Sequence, residues 1–229
     1  MIQTVTLNKR TFEFELNDEA DLSVFNEIFV EKEYRGLDEI LKKAKHAVID
    51  VGAHKGFFTS YVRALNEGVA IFAFEPEEKN FSLLKKNLLK NHIKNAVLKN
   101  LAISAVSGKR QLSLSADSHN HSLLEDFGEA LGQKEVQSTT LEEVFRKNRL
   151  SFAYLVKLDC EGAEFEILSG LPAEIFAKVG AFYIEYHIFN EKMRPEILKV
   201  LLEKNGFKVE MRPSSYDKRF GFILAKNRL

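Results

Sequence analysis

Ala47-Val48-Ile49-Asp50-Val51-Gly52-Ala53-His54-Lys55-Gly56 joins a short apolar run to an acid and then to a D-x-G-x-x-x-G turn. The run reads as a buried strand, and Phe57 to Leu65 follow it with helical spacing. Strand, glycine turn and helix in that order form the first unit of a doubly wound α/β fold. Ligands in such sheets sit beyond the carboxyl ends of the strands, which puts Asp50 and the turn at a crevice.

Working outward, strand and helix patterns alternate to the end of the chain. Val69 to Glu75 reads as a second strand, with Pro76 starting a helix through Phe81, Leu84, Leu88 and Leu89. Ala96 to Ser104 reads as a third strand, leading through Ser107-Gly108-Lys109 to a hairpin arm over Arg110 to Ser115. Residues 116 to 136, polar and carrying His119, Asn120 and His121, read as a long loop of the kind that is often functional. Thr139-Thr140 caps a helix from Leu141, Ala153 to Asp159 is a fourth strand, Glu164 to Ser169 a short helix and Ala181 to His187 a fifth strand. After a helix over Pro195 to Lys204, the strands Phe207–Arg212 and Phe220–Ala225 have no helix between them, so they are expected as an antiparallel hairpin at the sheet edge.

The predicted fold is therefore a doubly wound, seven-stranded Rossmann-like sheet, mostly parallel with an antiparallel C-terminal hairpin. Before it, residues 4 to 16 read as a β-hairpin around Asn8-Lys9-Arg10, with strict alternation in the second arm, and Asp21 to Phe29 and Leu37 to Ala44 carry helical spacing. Residues 1–45 are expected as a lead-in packed on the core and 46–229 as the main domain.

At 229 residues the chain is long enough for a substantial core. Its 33 basic and 33 acidic residues leave no global field to attract nucleic acid or an anionic membrane. One cysteine, Cys160, excludes an internal disulfide and any multi-cysteine zinc site. With no apolar run of membrane-spanning length and no signal-peptide pattern at the start, a cytoplasmic protein is expected.

Gly52 and Gly56 stand four apart with His54 between them, which departs from the G-x-G-x-x-G dinucleotide fingerprint. The missing glycine is the one that lets backbone approach a pyrophosphate. S-adenosylmethionine has no phosphate; Asp50 or strand-end carbonyls suit its ammonium, and backbone N–H groups suit its carboxylate. Glu75, about 20 residues past the turn, is placed to accept both ribose hydroxyls. Ala102, within Asn100-Leu101-Ala102-Ile103, can lie against adenine, although apolar strand ends are more often simple core.

A second stretch, Lys157-Leu158-Asp159-Cys160-Glu161-Gly162-Ala163-Glu164, sets three acids at or just past the fourth strand. Asp159 faces the same crevice as Asp50; Glu164 starts a helix, where an acid can simply stabilise the dipole. Cys160 stands between acids that raise its pKa, which argues against a thiolate nucleophile.

With these motifs the chain resembles the FkbM family of S-adenosylmethionine-dependent, class I methyltransferases. The resemblance rests on Asp50 to Gly56, Phe74-Glu75-Pro76, Asn100 to Ile103, Thr140-Leu141-Glu142 and above all Lys157 to Glu164, and covers roughly residues 45 to 190. It implies that Asp50, Gly52, Gly56 and Glu75 bind the cofactor and that Asp159 and Glu161 line the methyl-transfer site. His54 replaces a frequent asparagine and Lys55 an apolar residue, and Ser122-Leu123-Leu124 resembles a family segment beside the cofactor.

The expected cofactor-binding set is Asp50, Gly52, His54, Gly56, Glu75, Ala102 and Asp159, with S-adenosylhomocysteine as product. The expected catalytic set is Asp159, His187 and Glu161: His187 or Asp159 deprotonates an acceptor hydroxyl that Glu161 orients. Asp159, Glu161, Glu185 and His187 also offer metal-type ligands, but no fixed spacing supports a site, so no metal is expected. The leading function is O-methylation of a small molecule or saccharide, with no nucleic acid or membrane partner. Macromolecule methylation, a nicotinamide-dependent oxidoreductase and a non-catalytic cofactor-binding protein are the alternatives.

Overall fold

The computed structural model describes residues 1–115, 121–123, 131–191, 193–214 and 217–228. Its elements are β1 (Ile2–Leu7), β2 (Arg10–Glu15), α1 (Glu19–Phe29), a 3-10 turn over Glu33–Leu37, α2 (Asp38–Lys43), β3 (Ala47–Val51) and α3 (Phe57–Leu65). There follow β4 (Ile71–Phe74), α4 (Glu78–Lys90), β5 (Ala96–Lys99), β6 (Ala102–Ile103), β7 (Gly108–Leu114), β8 (Gly132–Thr139) and α5 (Leu141–Lys147). The chain ends with β9 (Ala153–Leu158), α6 (Ala163–Ser169), α7 (Ala173–Phe176), β10 (Ala181–His187), α8 (Pro195–Lys204), β11 (Phe207–Pro213) and β12 (Phe220–Asn227).

Seven strands form the main sheet in the order β11-β12-β10-β9-β3-β4-β5. β10, β9, β3, β4 and β5 pair in parallel; β12 runs antiparallel between β10 and β11. The C-terminal hairpin thus closes one edge, as expected from the missing helix. All five residues of β3 are buried because helices cover both faces. Val48 packs with α3 and the lead-in, whereas Ile49 and Val51 pack with α5, α6 and α8. Among the described residues no helix is long and apolar enough to cross a membrane.

Two expectations change. The third strand is not continuous: β5 ends at Lys99, and β6 leaves the main sheet for a small one ordered β6-β8-β7. Asn100 accompanies the break, its Nδ2 donating to the carbonyls of Glu75 at 2.8 Å and Pro76 at 2.9 Å. The arm over residues 108 to 114 pairs with β8, not with the third strand, and β8 occupies residues that read as the end of a long loop. Its glutamines and charges form an exposed face while Val136 and Ser138 are buried, an alternation that polar composition conceals. His119, Asn120 and Leu124 lie outside the described residues.

The lead-in packs as an aromatic layer: Phe14, Phe25 and Phe29 meet Phe57 at ring distances of 5.1, 6.2 and 6.3 Å. Asn87 of α4 and Asn91, which caps its C-terminus, fasten β2 to the sheet domain by bonding the backbone of Glu15 and Glu13.

Candidate functional site

β3 ends against β9, and the turn at Gly52 touches that neighbouring strand end. Gly52 has φ +74°, and a Cβ there would lie 1.7 Å from the Asp159 carbonyl oxygen, so only glycine fits. Gly56, φ +87°, lets the start of α3 settle on Leu84 and Leu88 of α4. Between them His54 adopts φ 48°, and its N–H donates to Glu75 Oε2 at 2.8 Å. Glu75 Oε1 accepts from Glu77 N at 2.9 Å. Each oxygen keeps a lone pair, which leaves capacity for two further donors.

The cleft beyond these strand ends has about 940 Å³ of empty volume, mouth included. Gly52, His54, Glu75, Ala102, Asp159 and Glu161 line it, with His121 and Leu123 also on its wall. Asp50, Gly56 and His187 do not. Asp50 is fully buried behind the turn, where Thr59 Oγ1 donates to its Oδ2 at 2.7 Å and Lys157 Nζ stands 3.6 Å from Oδ1. Burial raises its pKa, an effect opposed by Lys157.

Lys157 ties both halves of the site together. Its ammonium lies 3.0 Å from Asp159 Oδ2 and donates to the Gly52 carbonyl at 3.1 Å. Burial alone would lower its pKa, but Asp159 and Asp50 hold it above the ordinary value. For Asp159, burial pulls upward, and Lys157 followed by His187 outweighs it, so the carboxyl stays below its usual range. Sequence reasoning gave Lys157 no role, although a lysine inside the otherwise apolar run of β9 is itself a signal, since buried lysines require partners.

Glu161 has φ 51°, and its carbonyl accepts from Ser122 Oγ, which brings the 121–123 segment to the site. Glu164 clamps the turn: Oε1 accepts from Cys160 N at 2.7 Å and Oε2 from Gly162 N at 2.9 Å. His187, at the end of β10, has Nε2 3.5 Å from Glu161 Oε1 and 3.8 Å from Glu185 Oε1. Burial would lower its pKa, but Glu161 and Glu164 hold it well above the ordinary value. Burial pushes Glu161 up to about 7, with His187 opposing, and Glu185 well above the carboxylate range. Burial and the Glu164 carboxylate likewise raise the Cys160 thiol.

The lead-in completes the cleft. Val24, Glu27 and Ile28 of α1, with Glu33 and Tyr34, form wall that sequence reasoning did not assign. Burial, then Asp159 and Glu27, push Glu33 up to about 7.

A family model described as "Methyltransferase FkbM domain" matches residues 50–209, more than two thirds of the chain. The chain belongs to this family. It is 26% identical to the methyltransferase sdnD of Sordaria araneosa, across 81% of this chain and 82% of that protein. It is 23% identical to the AMB antimetabolite synthetase AmbE of Pseudomonas aeruginosa over 82% of its own length, but spans only 11% of that relative. Its fold is similar to the N-terminal domain of human METTL16 in complex with S-adenosylhomocysteine, with a TM-score of 0.52, 12% identity and coverage of 87% of this chain and 70% of that one. The FkbM resemblance and the seven-stranded Rossmann-like fold expected from the sequence are thereby borne out.

Proposed function

We propose that this chain transfers a methyl group from S-adenosylmethionine to a hydroxyl oxygen of a small molecule or saccharide. The observation that carries the reading is the convergence of Gly52, Glu75, Asp159 and Glu161 on one cleft at the carboxyl ends of the strands, with His187 buried behind Glu161. Gly52 offers only backbone to the cleft, where the methionine end of the cofactor can approach it. Glu75 accepts the ribose hydroxyls with its spare lone pairs, and Ala102 supplies an apolar edge for adenine. Asp50, turned toward Thr59 and Lys157, shapes the turn, which leaves strand-end carbonyls and Asp159 to receive the ammonium.

The cofactor supplies a methyl on a sulfonium, an electrophile with a good leaving group. The chain's own task is to align the hydroxyl and take its proton. The acceptor oxygen forms a bond to the methyl carbon as the carbon–sulfur bond breaks, leaving a neutral thioether. Its proton passes to the Asp159–His187 side of the cleft while Glu161 orients the oxygen. A neutral chain and an acid-lined cleft count against an RNA acceptor.

Calorimetry with S-adenosylhomocysteine and with NAD tests the cofactor; binding of the first alone is expected, and binding of neither overturns the reading. Radiolabelled methyl donor offered with saccharides, hydroxylated small molecules and RNA tests the acceptor; label found only in RNA would overturn the small-molecule assignment. Full turnover by both Asp159→Asn and His187→Ala would refute the catalytic group.

A further inference from the structure

One oxygen each from Asp159 and Glu161 and one imidazole nitrogen of His187 all lie within 4.8 Å of one another. We propose that these three side chains form a binding site for a divalent first-row cation such as Mn²⁺. Three equidistant ligands at about 2.1 Å from one ion stand at most about 3.6 Å apart, so closing the trio around a cation requires each pair to approach by up to about 1.2 Å, within reach of side-chain rotation. Two carboxylates and an imidazole, without thiolate, suit Mn²⁺ or Zn²⁺.

His187 provides the independent sign of a missing partner. The residue is only 7% exposed, and Nδ1 has no hydrogen bond. Its nearest groups are carboxylates: Glu164 Oε1 at 3.6 Å from Nδ1, and Glu161 and Glu185 at 3.5 and 3.8 Å from Nε2, all longer than good hydrogen bonds. Glu164 has both oxygens committed to the N–H groups of Cys160 and Gly162, so it is not a free ligand. It stands instead 3.6 Å from Nδ1, on the flank from which a carboxylate would orient a metal-bound histidine once it closed to hydrogen-bond distance, leaving Nε2 for the ion. On the other flank, Lys157 holds Oδ2 of Asp159 and leaves Oδ1 for the ion. Glu185, beside Nε2, is available as a fourth ligand.

Spacing along the chain gives no hint of this trio, because its members come from a turn and from the end of a different strand. The register of β10 on β9, with Ile184 opposite Leu158, is what brings them together. The cation's catalytic value rests on the methyl-transfer reading: with Asp159 and His187 serving as its ligands in place of a base, it would bind the acceptor oxygen and ease loss of its proton to solvent.

The test is titration of the full chain with Mn²⁺, followed by loss of the free-ion electron paramagnetic resonance signal and by calorimetry. One ion per chain is expected, bound at least about tenfold more weakly by Glu161→Gln and by His187→Ala. Far-UV circular dichroism and melting curves check that both variants are folded; Glu161→Gln keeps the shape of the residue should His187→Ala fail. No binding of Mn²⁺, Mg²⁺ or Zn²⁺, or binding equal to wild type in Glu161→Gln, overturns the site. Methyl transfer that survives chelation also sinks it while leaving the methyltransferase reading intact; a bound ion in a chain that transfers no methyl does the reverse.

Discussion

The Lys55 ammonium pairs with the Asp21 carboxylate, and both side chains are fully buried. Lys55 belongs to the glycine turn and Asp21 to the first turn of α1, so this pair fastens the lead-in to that turn. Asp21 Oδ2 also accepts from Asn17 N at 2.6 Å, and the Lys55 carbonyl accepts from Asn87 Nδ2 at 3.0 Å. A lysine in place of an apolar family residue is therefore matched by an acid from a neighbouring element. Removing one partner leaves a buried charge. Asp21→Ala is expected to lower unfolding stability by about 3–5 kcal/mol, and Asp21→Leu with Lys55→Met by much less. Urea denaturation of the three proteins measures this; equal losses in the single and double variants would refute the coupling.

Gly52→Ala makes a second prediction. The new methyl would overlap the carbonyl oxygen of Asp159, a backbone atom that cannot swing away, and alanine disfavours φ +74°. β3 and β9 must then separate at the ends that line the cleft. A stability loss of about 2 kcal/mol or more is expected, with S-adenosylhomocysteine binding weakened at least about tenfold. Wild-type affinity by calorimetry would show that the strand ends need not touch.

What was legible in the sequence follows from what is local. Ala47 to Val51 declared itself because a strand buried on both faces must be apolar throughout, and the C-terminal hairpin because two strands lacked a crossover helix. β8 did not, since its exposed face carries Gln133, Glu135 and Gln137 and its buried positions are confined to Val136, Ser138 and Thr139. The break at Asn100 was invisible because strand-forming residues continue past it, and only its bonds to Glu75 and Pro76 mark the departure. Among the residues that line the cleft, Gly52 and Glu75 followed from motif spacing. Asp50 was placed at the correct strand end but not on the correct side of the turn, because its orientation depends on Thr59 and on Lys157 from another strand. The contribution of Glu33 and Tyr34 to the cleft depends on how the lead-in docks, and no periodicity encodes that.

Glu75 should make cofactor binding pH-dependent. Burial pushes its carboxyl up to about 7, against its ordinary value of 4.5, and the N–H groups of Glu77 and His54 only partly oppose this. Because the folded chain holds the proton more tightly than the unfolded chain, this group's contribution to stability is fullest below pH 4.5 and is lost as pH rises to about 7. Affinity for the cofactor runs the other way, since the ionised carboxylate is the better acceptor for ribose hydroxyls. At pH 6 about one chain in eleven would carry the ionised form, so S-adenosylhomocysteine should bind about tenfold more weakly than at pH 8. Glu75→Gln, which cannot ionise, should bind weakly at both values and lose that dependence. Calorimetry at the two pH values separates the outcomes: a wild-type dissociation constant unchanged between pH 6 and pH 8 would remove Glu75 from the ribose site.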